Sequence, residues 1–437
     1  MRSKAVFLLV FLWSPSTVLG LEASGYLRID KRYPLNTKGP YFLDFYNEFF
    51  YRIEGGGPTT SFVTSLMTRF YSFPRITTLG DLQNPDRVAP MDLFLWEAYV
   101  DIRRFPIQNI DLRVGKQRLN WGTADGFNPT DYFNPEDLSD FLRLTRKLPV
   151  ESFEATYYLN GFSLTAVWSP TANPILFPRD LPLVDLSSFV EGMEVSRIEE
   201  NLELPSREWK NSQVALKAKV NLWGYDVSFS AFSGHEHFPL PTRIVLSPDP
   251  QEPPTMISEM TFELPRVWAL GADFAGDLGD FGVWGEGGVF FPTPMDLRII
   301  TPAGEQTTPV LSDQPYLKWI LGVDTFFWDG AYINLRFSHG FPTEIGKDQM
   351  GSYLLATFEK PFLSDRFIFR VRNIFETRDF YRPTRSWGTL VAPEISYFPD
   401  DNLEILLGMA FLSGKEGTLF GRWQDWDVAY LSIEASF

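Results

Sequence analysis

Four arginines of one segment offer the clearest material for chemistry. Arg366, Arg370, Arg372 and Arg378 share one parity, with Glu376 among them, while Phe367, Phe369, Val371 and Phe375 take the other. In a β-strand, alternate side chains point to opposite faces, so these arginines would form a ladder on a polar face backed by an apolar one. Such a ladder suits transient contact with anionic or hydroxylated solutes rather than covalent chemistry. Arg113, Lys217 and Lys219 have the placement to extend it. The alternative is that these cations pair with inward acids, Glu97, Asp101, Glu154, Glu286, Asp324 and Glu394, and only fill an interior.

A second set lies in Asn120–Val150, a stretch rich in Asp, Asn, Pro and aromatic residues. Asp125, Asp131, Glu136, Asp137 and Asp140, faced by Arg143, Arg146 and Lys147, would set a transverse field across an opening and orient polar solutes. A loop packed on neighbouring outer loops would use the same residues. In 170–211, Asp180, Asp185, Glu191, Glu194, Glu199, Glu200, Glu203 and Glu208 outnumber Arg179, Arg197, Arg207 and Lys210. That surface either holds divalent cations bridging lipopolysaccharide or is simply solvated. The chain has three histidines. His235-Glu236-His237 lacks the spacing of the helical zinc motif H-E-x-x-H, and His339, near Ser338 and Asp324, is the one arrangement from which a hydrolase could be assembled. No metal site and no cofactor are expected.

These residues need elements to position them, and period-two alternation supplies those elements. In Ser212–Leu222, Val214, Leu216, Ala218, Val220 and Leu222 oppose Gln213, Lys217, Lys219 and Asn221. Leu403, Ile405, Leu407, Met409 and Phe411 repeat the pattern, as do Phe94, Trp96, Ala98, Val100 and Ile102 against Glu97, Asp101 and Arg103. Further strands are read near 25–33, 41–53, 61–72, 109–119, 151–159, 161–169, 224–233, 266–274, 279–291, 315–327, 331–339, 352–361, 366–378 and 389–398. The expected fold is all-β: a transmembrane, antiparallel, up-and-down β-barrel of about 18 strands, within 16–18. Connections alternate in length, as a barrel with short periplasmic turns and long outer loops requires. Short links fall at 105–108, Asn160-Gly161, Trp223-Gly224, Ala275–Asp277, 328–330 and 399–402. Long stretches fall at 73–91, 120–150, 170–211, 234–265, 292–314, 340–351 and 413–425. A soluble sandwich or propeller does not predict that alternation.

Residues 1–20 read as a cleaved secretory signal: Arg2 and Lys4, the apolar run Ala5–Trp13, then Val18-Leu19-Gly20. The run is too short for a bilayer core that needs roughly 20 helical residues. The remainder, 21–437, is read as one barrel with no helical span, and in lipid only a closed barrel could then satisfy its backbone. There is no cysteine, so disulfides play no part. Aromatic residues reach 16%, with Phe 40, Tyr 17 and Trp 13, and Phe49 with Tyr51, Phe290 with Phe291, Phe326 with Phe327, and Tyr397 with Phe398 suit interfacial girdles. A net charge of −16 argues against a nucleic-acid surface.

The end of the chain, with Ala429, Leu431, Ile433, Ala435 and Phe437 on one face and Ser432, Glu434 and Ser436 on the other, resembles the closing strand of bacterial outer-membrane proteins. That resemblance implies residence in the outer membrane among its lipid and lipopolysaccharide, with Phe437 as an insertion signal for the barrel-assembly machinery. A second segment, Arg113-Val114-Gly115-Lys116-Gln117-Arg118-Leu119-Asn120-Trp121-Gly122, followed by Asp125 and Pro129-Thr130-Asp131, resembles the "G-(K/R)-Q-x-(I/L)-x-W-G" strand end of porin-like bacterial barrels, including the alginate-export type. It implies a passive channel for small polar or anionic solutes, narrowed by the loop 120–150. The other readings are a non-conducting structural or adhesive barrel and an outer-membrane hydrolase. A homo-oligomer is compatible with any of them.

Overall fold

A computed structural model of the protein describes residues 20–36, 47–124, 126–140, 142–177, 199–247 and 256–437. The leader read at 1–20 lies, apart from Gly20, outside the described residues. So do Asp125 and positions 178–198 of the acidic segment.

Alternating segments become strands because each presents an apolar row to one side and a polar row to the other. In chain order they are β1 (Glu22–Pro34), β2 (Asn47–Gly56), β3 (Thr60–Phe70), β4 (Met91–Ile102), β5 (Ile110–Gln117), β6 (Val150–Leu159), β7 (Phe162–Ser169), β8 (Glu199–Glu203), β9 (Gln213–Leu222), β10 (Tyr225–His235), β11 (Leu240–Ser247), β12 (Met256–Glu263), β13 (Arg266–Leu278), β14 (Phe281–Pro292), β15 (Met295–Thr301), β16 (Gly304–Leu311), β17 (Tyr316–Phe327), β18 (Ala331–His339), β19 (Ser352–Phe362), β20 (Phe367–Thr377), β21 (Trp387–Asp400), β22 (Leu403–Gly414) and β23 (Val428–Ser436). Eighteen of them form one sheet in which each strand runs antiparallel to the next. The sheet closes where β1 pairs with β23, from Tyr26 opposite Ser436 to Pro34 opposite Val428. Closure removes both edges, and with them the unpaired backbone groups that lipid does not tolerate.

Outward rows are apolar and exposed, such as Val214, Leu216 and Leu222 on β9 and Leu407, Met409 and Phe411 on β22. That is the belt of a lipid-facing barrel. Phe437 continues it: its ring stacks 6.3 Å from Phe49 and 6.2 Å from Tyr51, and its backbone pairs with Gly25 in both directions at 3.0 Å.

Short and long connections alternate around the rim, with both described ends of the barrel chain on the short side. Asn160-Gly161 and Trp223-Gly224 carry positive φ at both positions, the turn whose twist matches paired strands. Three sequence expectations shift. β13 continues to Leu278, so the turn read at Ala275–Asp277 lies at Gly279-Asp280. On β4 the parity read for Phe94 and Trp96 is broken, because Ser65 pairs with Glu97 while Leu66 pairs with Leu95. The extra residue is a bulge at Trp96 that turns it inward and leaves Leu93 and Leu95 outside. The long stretches 234–265 and 292–314 are not plain loops. They carry the hairpins β11–β12 and β15–β16, joined through the parallel pairing of β11 with β15 and extended by β8 on β12. This five-stranded sheet crowns the long-loop end.

Candidate functional site: a loop held across the lumen

The segment between β5 and β6, residues 118–149, runs inside the barrel. Leu119, Trp121, Phe127, Tyr132, Phe133, Leu138, Leu142 and Leu144 are all buried on it. The motif that announces it explains how it gets there. Gly115 has a φ of +132°, and a Cβ there would lie 2.2 Å from the Ala98 carbonyl oxygen, so only glycine lets β5 approach β4 at this point. Gln117, fully buried, donates to Ser152 Oγ at 2.9 Å and secures the strand end against β6. Gly122 lies against Glu286 of β14, where a Cβ would stand 2.4 Å from Oε2. That close approach lets the Glu286 carboxylate accept the N–H groups of Thr123 at 2.7 Å, Ala124 at 3.2 Å and Thr130 at 3.3 Å. Glu286, expected as a pore-lining acid, is therefore an anchor for the loop.

One flank of the loop is aromatic. Tyr132 stacks on Phe232 at 4.9 Å, Phe133 meets Phe232 edge-on at 5.4 Å, and Trp121 meets Phe133 at 5.7 Å. The Tyr132 hydroxyl lies 3.2 Å from Ser230 Oγ. Lys217, expected in the basic ladder, donates to the Trp121 carbonyl and pairs with Asp273 at 3.2 Å.

The other flank is ionic. Asp140 takes a two-pronged contact from Arg32 at 2.8 Å and 2.8 Å, and Asp30 accepts from the same guanidinium at 2.8 Å. Asp137 accepts from Arg69 at 2.6 Å, and Arg146 reaches Glu48 at 2.6 Å. Glu48 also receives Arg69 and Arg28, each at 3.0 Å. Within the loop, Glu136 pairs with Lys147 at 2.6 Å, and Asp131 lies 3.7 Å from the same ammonium and receives Asn134. Burial alone would raise the Asp140 carboxyl, but Arg32 holds it well below its usual value. Burial likewise raises Glu136, and Lys147, then His237, bring it below the ordinary carboxylate value.

Sequence reading placed Arg143, Arg146 and Lys147 opposite the loop acids. The structure instead gives Asp137 and Asp140 wall arginines, Arg69 and Arg32, as their nearest partners. The wall residues Arg28, Arg32, Glu48 and Arg69 were missed. Their signal was available: Arg28, Asp30 and Arg32 stand at period two in a strand read at 25–33.

Of the arginine ladder, Arg370 and Arg372 lie within β20. Arg366 sits exposed in the short turn before it, and Arg378 lies just past its other end, donating to the Gln349 carbonyl at 2.6 Å and pairing with Glu344 at 2.8 Å. The strand is shorter than expected, so the ladder has two interior rungs. Arg370 pairs with Glu359 at 2.6 Å and lies 3.6 Å from Glu394, while Arg372 donates to Glu394 and, at 3.1 Å, to the Leu142 carbonyl of the loop. Elsewhere on the wall Arg113 pairs with Asp101 at 2.5 Å and stands opposite Glu154. Glu97 takes Arg52 at 3.2 Å and Arg118 at 3.3 Å. Lys219 pairs with Asp226 at 2.8 Å, and Asp324 is half-buried opposite Asn334. The hydrolase arrangement does not form: His339 lies opposite Trp319, so Asp324 is five residues away along β17, roughly 17 Å.

Between the ionic flank and the wall lies a cavity of about 170 Å³, lined by five arginines (Arg28, Arg32, Arg143, Arg370, Arg372) and four carboxylates (Asp30, Glu394, Glu404, Glu434). Arg143 Nη1 and Arg372 Nε on its lining are buried without a hydrogen-bond partner, as is Glu394 Oε2. Two unspent guanidinium donors beside a polar space can receive an anion.

No family model and no curated protein matches the chain. Its fold is similar to solved outer-membrane porins. OpdK of Pseudomonas aeruginosa, solved with vanillate, aligns at 11% identity with a TM-score of 0.50, covering 95% of this chain and 98% of that one. OccAB3 of Acinetobacter baumannii gives 11% and 0.51, covering 95% and 99%. OccK2 (OpdF) of Pseudomonas aeruginosa gives 10% and 0.50, covering 95% and 97%. At these identities the likeness is one of fold.

Proposed function

We propose that the protein is an outer-membrane channel through which small polar or anionic solutes diffuse passively, along the ionic flank of the loop 118–149. The observation that carries the proposal is the arginine-lined cavity between that flank and β20–β23, inside a closed barrel with an apolar outer belt. The space beside Tyr132, Phe232 and Phe290 on the aromatic flank is smaller, about 50 Å³. Five arginines to four carboxylates give a modest preference for anions rather than exclusion of cations. The vanillate in the OpdK structure, a small aromatic carboxylate, is the class of solute this lining suits. The narrower resemblance to alginate-export barrels rests on Arg113–Gly122 alone, and the proposal draws nothing from it. Insertion through Phe437, contacts with lipopolysaccharide and assembly into oligomers belong to the same proposal as its setting.

In planar bilayers the purified protein is expected to give discrete conductance steps, and silence at every voltage would overturn the channel reading. Replacing Arg370 and Arg372 with glutamine should move the reversal potential in a salt gradient toward cation preference. An unchanged potential would remove them from selectivity.

A further inference from the structure

His237 lies just past β10, 8% exposed, where three chain segments meet. Its Nδ1 is 2.7 Å from the Asn173 carbonyl oxygen, in the outer loop after β7, and its Nε2 is 3.1 Å from the Tyr132 carbonyl oxygen of the constriction loop. Carbonyl oxygens only accept. A neutral imidazole carries one N–H, so it serves one of these two partners and turns a lone pair toward the other; the imidazolium serves both. The backbone around it reinforces the junction. Ile175 donates to the His237 carbonyl at 3.0 Å, Leu176 to Glu136 at 3.0 Å, and Leu138 to Leu176 at 2.8 Å.

We propose that a proton on His237 fastens the constriction loop to the outer loop after β7, so that the constriction is stiffer in mildly acid surroundings and looser once that proton leaves. The consequence for conduction rests on the channel reading; the protonated clasp itself does not. Charged groups of both signs surround the ring. Glu136 and Asp131 face it from the constriction loop, with Lys147 between them. Beside it on the chain, Glu236 accepts from Tyr316 and lies 3.6 Å from Lys318 of β17, while His235 Nδ1 is buried without a partner. Losing the proton turns a ring lone pair toward one of the two carbonyls in place of a donor, which favours separation of the two loops. Histidine is the side chain that ordinarily changes charge between pH 5 and 8, and the chain holds only three.

The test uses ring-nitrogen-labelled histidine in the detergent-solubilised barrel, followed by NMR from pH 5 to 8, with signals assigned through His235→Gln and His339→Gln. The clasp predicts two protonated nitrogens on His237 at the acid end and loss of one on raising the pH. A single protonated nitrogen throughout overturns it. In bilayers the rate of brief closures should change roughly tenfold across the same range, the scale of one buried hydrogen bond to a charged group. His237→Gln should abolish that dependence, while His235→Gln and His339→Gln keep it. If His237→Gln keeps it, the clasp is wrong. If every bilayer is silent, the channel reading fails, and the ring spectra alone decide the clasp.

Discussion

On one side of the constriction loop, Trp121, Tyr132 and Phe133 pack against Phe232, Val267 and Phe290; on the other, Asp137, Asp140 and Arg146 meet Arg69, Arg32 and Glu48. The first attachment is made of contact area. Its strength scales with apolar surface removed from water. The second is made of paired charges. A buried ion pair roughly offsets its own desolvation, so it adds little net stability, but removing one partner strands the other. The contrast teaches a division of labour: the aromatic side seals and holds, while the ionic side sets the loop's register and borders the polar cavity.

The largest effect should come from emptying the aromatic side. Phe133 is fully buried, and Phe133→Ala should destabilise the loop by about 4 kcal/mol through lost burial and the cavity left behind. Hydrogen exchange across 119–133 should rise while the barrel strands stay protected. Equal protection in the variant would mean that the ionic side alone holds the loop.

Breaking the ionic side should cost slightly less and act differently. Glu48 is the shared partner of Arg28, Arg69 and Arg146, and Glu48→Gln leaves three guanidinium groups short of charge, at about 3 kcal/mol. Conductance should increase or grow noisier, because the loop loses register beside the cavity. A variant as quiet and as stable as the native protein would show that these pairs do not place the loop.

The two sides also differed in how far the sequence disclosed them. Barrel closure, strand parity and the alternation of turns were legible because a two-residue period and a length rule are local patterns. The β4 bulge was not, since one inserted residue reverses parity without altering composition. Within the loop, Asp137, Asp140 and Arg146 were legible as candidates by type. Their partners were not, because Arg32 and Arg69 lie far away in the chain and only closure of the barrel brings them into one layer. Lys217 and Glu286 were read as lumen charges and instead serve the loop backbone, a role that no spacing announces. Phe290, read with Phe291 as an interfacial pair, is instead buried against Tyr132 while Phe291 stays exposed, and nothing local singled out Phe232 as the floor for Tyr132 and Phe133.

Acid should separate the two sides next. Asp140 is held well below its ordinary 3.8 and Glu136 below its ordinary 4.5, against the upward pull of burial. A carboxylate lowered by folding contributes stability above its unfolded value and loses it as pH falls through its folded value. Burial pulls Lys147 down, but Glu136 leaves it above 10.5, so its share is complete below that value and is lost only as pH rises through the higher one. The ionic side should therefore be intact at neutral pH and lose about 2 kcal/mol only well below pH 4. Exchange at 136–147 should rise there while exchange at 119–133 holds. A simultaneous rise on both sides would mean that the flanks are one cooperative unit.

The smallest effect tests whether the aromatic side depends on the hydroxyl tether of Tyr132. Tyr132 meets Ser230 through its hydroxyl, while its ring stacks on Phe232 and stands edge-on to Phe290 at 6.0 Å. Tyr132→Phe keeps both ring contacts and removes one neutral hydrogen bond, worth about 1 kcal/mol. Loop exchange should rise severalfold, with conductance and ion preference unchanged, since the cavity lies on the other flank. A shift in reversal potential would show that the aromatic side also touches the solute's path, and the division between seal and track would have to be redrawn around Ser230.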